Sequence, residues 1–266
     1  LKKIAKSITK RVLSELKKKL KKDEIEYDTF WSQFGKVIKE GLYEDYENRD
    51  KIIEIIRVFS NKENKLITMQ DYLDNMSEGQ DAIYYITGEN LDMVKQSPQL
   101  EGFRSRGIEV LLMCDPVDEF WLPAVDNFEG RQFKSVTRSS TDLENIKDDD
   151  GKKKKGSKKK TNTKLAPGMD QLIATLKITL GDAVKDVTIS DRLTDSPVCL
   201  VSSGEDMDIH LERMLKQHNQ LTETTPRILE INAEHPLIAK MAKINNSQKT
   251  NNVEMNDAAF LLLDQA

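Results

Sequence analysis

The sequence predicts an α/β plus α+β protein, in which a helical segment leads into a small three-layer α/β/α subdomain and a mixed α+β domain follows. Apolar residues recur at helical spacing over residues 1–80. Short apolar runs then alternate with helical stretches over 81–138, which is typical of a parallel sheet with crossover helices. A lysine-rich stretch without apolar periodicity, 139–164, separates this part from 165–266.

Four helices are predicted within residues 1–80. The first carries its apolar stripe over residues 1–20, and residues 1–22 hold ten lysines and arginines against one acid. These charges fit a solvated outer face, which we favour, or a face that binds nucleic acid or lipid. The apolar positions of the other three helices are Tyr27, Phe30, Trp31, Phe34, Val37 and Ile38; Ile52, Ile55, Ile56 and Phe59; and Met69, Tyr72, Leu73 and Met76 after a Thr68 cap.

The remaining elements follow from short apolar runs and further helical spacing. In the first part, strands are predicted at 82–86, 108–113 and 133–136, with helices at 91–95 and 117–125. In the last part, strands are predicted at 184–189, 198–201 and 228–231, with helices at 169–180, 207–215, 236–244 and 253–263. Seven lysines within 152–160 indicate that 139–164 is a charged flexible linker.

The composition excludes several classes of protein. The net charge of −4, from 41 lysines and arginines against 45 acidic residues, excludes a uniformly basic nucleic-acid binder. No apolar run approaches the ~18 residues of a membrane-spanning helix, and the first residues show no signal-peptide core. Cys114 and Cys199 lie in apolar runs, which indicates buried thiols in a reducing compartment. We therefore expect a cytoplasmic protein.

The search for catalytic and ligand-binding motifs yields no site. Residues 151–158, GKKKKGSK, approach a phosphate-binding loop, but no strand precedes them, and serine and lysine are exchanged. His210, His218 and His235 lack the spacing of a zinc site, and no basic neighbour would activate the Cys114 thiol. We expect no catalytic, cofactor-binding or metal-binding residue here, and no enzyme activity.

Several short sequence motifs resemble those of one protein family. Residues 29–35 (TFWSQFG), 39–41 (KEG), 83–87 (IYYIT) and 107–112 (GIEVLL) occur in the order found in the middle domain of the ninety-kilodalton heat-shock chaperones. Residues 192–197 (RLTDSP) and 261–265 (LLLDQ) resemble the C-terminal domain of the bacterial, HtpG-type members. The resemblance covers nearly the whole chain outside 139–164.

This resemblance implies a molecular chaperone that binds non-native client proteins in an ATP-driven cycle and forms homodimers. It assigns 1–138 to the end of the middle domain, helical over 1–80 and α/β/α over 81–138. It assigns 165–266 to a truncated C-terminal dimerisation domain. ATP and magnesium would bind in an N-terminal domain that this sequence lacks, so the fragment itself would need no cofactor.

Two groups of residues are implied to contact clients. Met207, Leu211, Met214 and Leu215 recur at helical spacing, for which the residues alone would favour core packing and the resemblance favours client contact. Methionine suits such a surface because it is flexible and polarisable. The second group is Glu119, Phe120 and Trp121. We expect at least one of its two aromatic rings to pack on the sheet, because adjacent helical residues point about 100° apart.

A third group is implied to form the dimer. The last predicted helix has a wide apolar face that consists of Val253, Ala259, Phe260, Leu262 and Leu263. In the family such a face belongs to a two-fold four-helix bundle. Because the sequence stops before the following helix, we expect a monomer or weak dimer with Phe260 and Leu263 exposed or buried by crystal neighbours.

Two other functional classes stay open from the residues alone. A lysine-rich nucleic-acid-binding or scaffold protein would show binding that falls steeply with salt. A small α/β enzyme would bring perturbed titratable groups together in a cleft. The chaperone hypothesis instead predicts apolar side chains at the surface of one helix, with no membrane partner.

Overall fold

The computed structural model describes residues 2–138, 143, 146, 167–204, 206–246 and 252–266. The chain divides into two compact units, Leu1–Lys95 with Glu109–Ser135, and Gln96–Ile108 with Val136–Ala266. Each unit has its own β-sheet. The predicted linker at 139–164 lies outside the described residues, except for Leu143 and Ile146, which are buried.

Two helices of 21 residues open the first unit, α1 (Lys2–Lys22) and α2 (Glu24–Glu44). Asp23 separates them and caps α2, because its side chain accepts a hydrogen bond from the N–H of Glu26 at 2.9 Å. A short helix, α3 (Arg49–Ile53), follows. The Tyr27 hydroxyl of α2 donates to the carbonyl oxygen of Ile55 at 2.9 Å, which ties α2 to the segment after α3.

The sheet of the first unit has six strands in the order β2-β1-β4-β3-β6-β5. Its strands are β1 (Val58–Ser60), β2 (Leu66–Ile67), β3 (Ala82–Thr87), β4 (Leu111–Met113), β5 (Asn127–Phe128) and β6 (Arg131–Ser135). The short helices between them are α4 (Met69–Asp74), α5 (Leu91–Lys95) and α7 (Asp118–Trp121). The predicted parallel pairing is confirmed for β3 with β4 and with β6, whereas the outer pairs are antiparallel.

The prediction of a helical segment over 1–80 is wrong at 58–67, where the chain forms β1 and β2. Phe59 lies in β1 rather than in the third predicted helix, and β1 pairs with β2 and β4. A short apolar run that contains Val58 and Phe59 fits a strand as well as a helix, and the sheet decides between them. The Thr68 cap is confirmed, since Thr68 and Asp71 form a reciprocal capping box at the start of α4.

The second unit holds a three-stranded mixed sheet in the order β7-β9-β8. Its strands are β7 (Val184–Ile189), β8 (Val198–Val201) and β9 (Arg227–Ile231), with β7 parallel and β8 antiparallel to β9. Its helices are α6 (Glu101–Arg104), α8 (Met169–Leu180), α9 (Ile209–Gln217), α10 (Pro236–Asn246) and α11 (Asn252–Gln265). The predicted strands and the helices at 169–180, 236–244 and 253–263 are therefore confirmed within a few residues.

The main core of the second unit lies between this sheet and three helices. α8 packs against β7, α10 and α11. The buried side chains of this cluster include Met169, Leu172, Leu176, Val187, Leu229, Ile231, Ile238, Met241, Ala259 and Leu262. Helices with two mixed sheets confirm the general α/β character of the predicted fold.

Candidate functional site

The helix α9 is fixed by polar groups. Asp208 caps it by accepting from the N–H of His210 at 3.1 Å, and accepts from the Thr137 hydroxyl at 2.8 Å. Glu212, only 4% exposed, forms an ion pair with Arg227 of β9. The same Arg227 donates to the carbonyl oxygen of Met207 at 2.7 Å, so one guanidinium positions both the helix and the residues before it.

The apolar residues of α9 are half-buried. Leu211, Met214 and Leu215 share a sector of about 100° around the helix axis, and Glu212 lies outside that sector. Met207 is also half-buried but precedes α9, so the predicted helical stripe is wrong at its first position. Among the described residues, the core cluster that α8, α10 and α11 form with the sheet does not include Met207, Leu211, Met214 or Leu215. α9 therefore presents part of its apolar surface outward.

The second predicted client group lies on α7, and its three side chains differ in exposure. Trp121 is fully buried, its Nε1 donates to Asp118 at 2.7 Å, and its ring stacks edge-on against Phe133 at 5.6 Å. Glu119 is also buried. Burial thus removes Glu119 and Trp121 from the surface and corrects the prediction for both, because α7 needs an inner face to pack on the sheet. Phe120 is 50% exposed and remains a candidate contact.

A buried charge network supports α7. The Lys39 ammonium lies 2.9 Å from a carboxylate oxygen of Asp118 and 2.9 Å from one of Asp115. Burial alone would lower the pKa of Lys39, but the carboxylates of Asp118 and Asp115 outweigh it and raise that pKa. Burial raises the pKa of the neighbouring Cys114 thiol to about 11, so this thiol stays protonated at neutral pH and is a poor nucleophile.

The predicted dimer face on α11 is also divided. Ala259 and Leu262 are buried in the core of their own unit, and Leu263 packs partly against that core, which corrects the wide face predicted for a partner. The reason is that α11 must cover α8. Val253 and Phe260 stay exposed, at 60% and 46%. The apolar surface left for a second copy is narrower than the sequence indicated.

Sequence reasoning missed two features. The first is the exposure of Ile4, Ile8 and Val12, which belong to the apolar stripe of α1. Their four-residue spacing is the pattern of an apolar stripe that packs inward, so it gives no signal of this exposure. The second feature is the Glu212–Arg227 pair, for which no sequence signal exists, because its partners are brought together only by the fold.

Within the described part of the chain, no group of three or more His, Cys, Asp or Glu side chains is placed to hold a metal ion. No helix in the same residues is long and apolar enough to cross a membrane. The phosphate-loop-like residues 151–158 lie outside what the structure describes.

Comparison with known proteins identifies the class. The family model described as Hsp90 protein matches residues 1–266. The chain therefore belongs to the Hsp90 family, as the short sequence motifs of both units indicated.

The individual relatives are bacterial proteins named Chaperone protein HtpG. The chain is 50% identical to the one from Roseobacter denitrificans and 47% identical to the one from Paramagnetospirillum magneticum, over 100% of its own length in both cases. It is 44% identical to the one from Wolbachia sp. subsp. Brugia malayi over 99% of its length. The chain spans 42%, 42% and 41% of these three relatives.

Proposed function

We propose that this chain is the client-binding and self-associating part of an Hsp90-family molecular chaperone. The proposal rests on one observation, which is that α9 buries a charged side chain and leaves its apolar side chains partly exposed. Its buried side chain is the charged Glu212, whereas Leu211, Met214 and Leu215 are half-buried. A helix that served only as a core element would bury the apolar set. A chaperone needs apolar groups that are accessible on a rigid, soluble body.

The chemistry of this surface suits variable partners. Met207 and Met214 have flexible, polarisable side chains that repack against differently shaped apolar groups. Phe120 adds an aromatic ring on the first unit, where the Lys39 network holds α7 in place. The names of the relatives support a chaperone, and neither the family nor the described structure supports a nucleic-acid-binding role.

The proposal includes the domain assignment of the parent protein. Residues 1–138 correspond to the end of a middle domain, with an α/β/α arrangement over 81–138, and 165–266 correspond to a C-terminal dimerisation domain. ATP binding and hydrolysis then belong to parts of the protein outside this chain. The exposed Val253 and Phe260 are the side chains we assign to contact with a second copy.

A binding assay tests the client surface. We expect the double substitution Leu211→Asn with Met214→Asn to weaken binding of a fluorescent, permanently unfolded polypeptide by about tenfold or more. Burial of one such side chain contributes ~1.5–3 kcal/mol, and 1.4 kcal/mol corresponds to about tenfold in Kd. Fluorescence anisotropy gives the Kd of each variant.

The matched control is Ile178→Asn, which removes an apolar side chain that is 83% exposed on α8. This control should bind like the wild type. Two results would contradict the proposal: an equal loss of affinity in the control, or a melting temperature for the double variant so low that Leu211 and Met214 must be core residues.

A further inference from the structure

Three consecutive backbone N–H groups in the loop between β7 and β8 point at a single carboxylate. The Glu101 side chain accepts hydrogen bonds from the N–H groups of Thr194 at 2.7 Å, Asp195 at 2.9 Å and Ser196 at 3.1 Å. The Ser196 hydroxyl donates to it at 2.6 Å. Convergent N–H groups of this kind form an anion-binding concavity.

The loop keeps its shape through contacts that do not involve Glu101. The Ser190 hydroxyl oxygen accepts from the N–H groups of Arg192 and Leu193, both at 3.2 Å. On the other side, the Asn232 side chain donates to the carbonyl oxygen of Ser196 at 3.1 Å. The Arg192 guanidinium pairs with Glu230 at 3.0 Å. These contacts hold the backbone on both sides of residues 194–196.

The position of the carboxylate depends on a close approach of two backbones. A Cβ on Gly102 would lie 2.8 Å from the Cα of Arg192, so glycine is needed next to Glu101. The contact lies at the surface, since Thr194 and Asp195 are exposed and Glu101 and Ser196 are half-buried. Solvent and solutes therefore reach it.

We propose that residues 194–196 form an anion-binding site which Glu101 occupies in cis, and that a carboxylate from a partner polypeptide can replace it. The site selects a monoanion, because the Asp195 carboxylate, which accepts from the Thr194 hydroxyl at 3.0 Å, lies beside it and repels a second negative charge. Replacement frees the start of α6. This site is separate from the proposed client surface and does not depend on it.

The Glu101→Ala variant provides the test, with acetate as the probe. In this variant the backbone amide NMR signals of 194–196 should shift from their wild-type positions. Acetate should return them toward those positions in a saturable manner, on the order of tens of millimolar, as expected for one small carboxylate held by a few hydrogen bonds. Inorganic phosphate at pH 7.5 should bind more weakly than acetate.

The controls separate binding from ionic strength and from charge removal. In Glu101→Ala, sodium chloride at the same ionic strength should not move the signals of 194–196. The second control is Glu254→Ala, which removes an exposed carboxylate from the first turn of α11. In that variant, acetate should not move these signals. The proposal is overturned if acetate has no saturable effect, or no more effect than chloride. It is equally overturned if both Glu101→Ala and the isosteric Glu101→Gln fail to fold by near-ultraviolet circular dichroism, because an exchangeable contact is not essential for folding.

Discussion

Adjacent residues in this protein have opposite roles. Trp121 is enclosed by Asp118 and Phe133, whereas the Phe120 ring is half exposed and lies 6.2 Å from the Tyr43 ring. The sequence predicted that the two rings diverge, because helical neighbours point about 100° apart. It did not indicate which ring is buried, since that depends on where α7 meets the sheet.

This difference leads to a prediction for two alanine substitutions. Trp121→Ala should lower the free energy of unfolding by ~3–5 kcal/mol, because it leaves a cavity and removes the Nε1–H group that donates to Asp118. Phe120→Ala should lower it by about 1 kcal/mol or less and should weaken client binding. Urea denaturation measures both variants, and a larger loss of stability in Phe120→Ala would contradict the structure.

A buried carboxyl group lies just before β4. Glu109 accepts a hydrogen bond from Ser60 at one oxygen, and its other oxygen, Oε2, has no hydrogen-bond partner among the described residues. Burial raises the pKa of Glu109, and the Ser60 hydrogen bond only partly opposes it. Glu63 and Asp71 raise that pKa further, and Lys62 lowers it. The folded protein therefore binds this proton more tightly than the unfolded chain.

The raised pKa of Glu109 determines how the stability of the folded protein changes with pH. The stability from Glu109 is fully present below the unfolded-state pKa, ~4.3, and is lost as the pH rises through the higher folded-state pKa. Glu109→Gln keeps a neutral group of similar shape at every pH. Its free energy of unfolding, relative to wild type, should therefore increase as the pH rises from about 4. A difference that stays constant as the pH rises would show that Glu109 has the same pKa in both states.

At the scale of elements, short-range chemistry made most boundaries predictable. Thr68 capped α4 as expected, and Gly181, with φ of 48°, ended α8 as expected. The error at 58–59 arose where an apolar run carried no cap and no period long enough to distinguish helix from strand. The anchoring of α9 was unpredictable for a different reason, because Glu212 and Arg227 are distant in sequence and match no motif.

This ion pair gives the element-scale prediction. Glu212→Ala should lower the free energy of unfolding by ~3–5 kcal/mol, because it leaves the buried Arg227 without its partner. The combination of Glu212→Met with Arg227→Met should recover much of that loss, since a well-packed apolar pair avoids the desolvation penalty. Hydrogen exchange should show faster amide exchange in α9 in the single variant. Unchanged exchange there would mean that other contacts hold the helix.

At the scale of the whole molecule, the sequence predicted two folded parts and a family, and the family match confirmed the second of these. The prediction from sequence made the apolar surface available to partners too large. A wide apolar stripe on a helix does not reveal which of its residues pack against other parts of the same chain. Ala259 and Leu262 of α11 demonstrate this, as both are buried in their own unit.

The narrower face on α11 predicts separable effects on association and stability. Val253→Ser with Phe260→Ser should weaken self-association by about tenfold or more and leave the melting temperature nearly unchanged. Leu262→Ala should instead lower the free energy of unfolding by ~2–5 kcal/mol. Sedimentation equilibrium and urea denaturation distinguish the two effects. Self-association of equal strength in the double variant and the wild type would place the interface elsewhere.

The proposed client surface consists of the half-buried apolar residues around α9. Methyl NMR of methionine-labelled protein tests it most directly, because Met207 and Met214 lie at this surface, whereas Met169 and Met241 are core residues. On addition of a permanently unfolded polypeptide, the methyl signals of Met207 and Met214 should shift or broaden, and those of Met169 and Met241 should not. Binding that leaves the Met207 and Met214 signals unchanged would show that clients bind elsewhere on the protein.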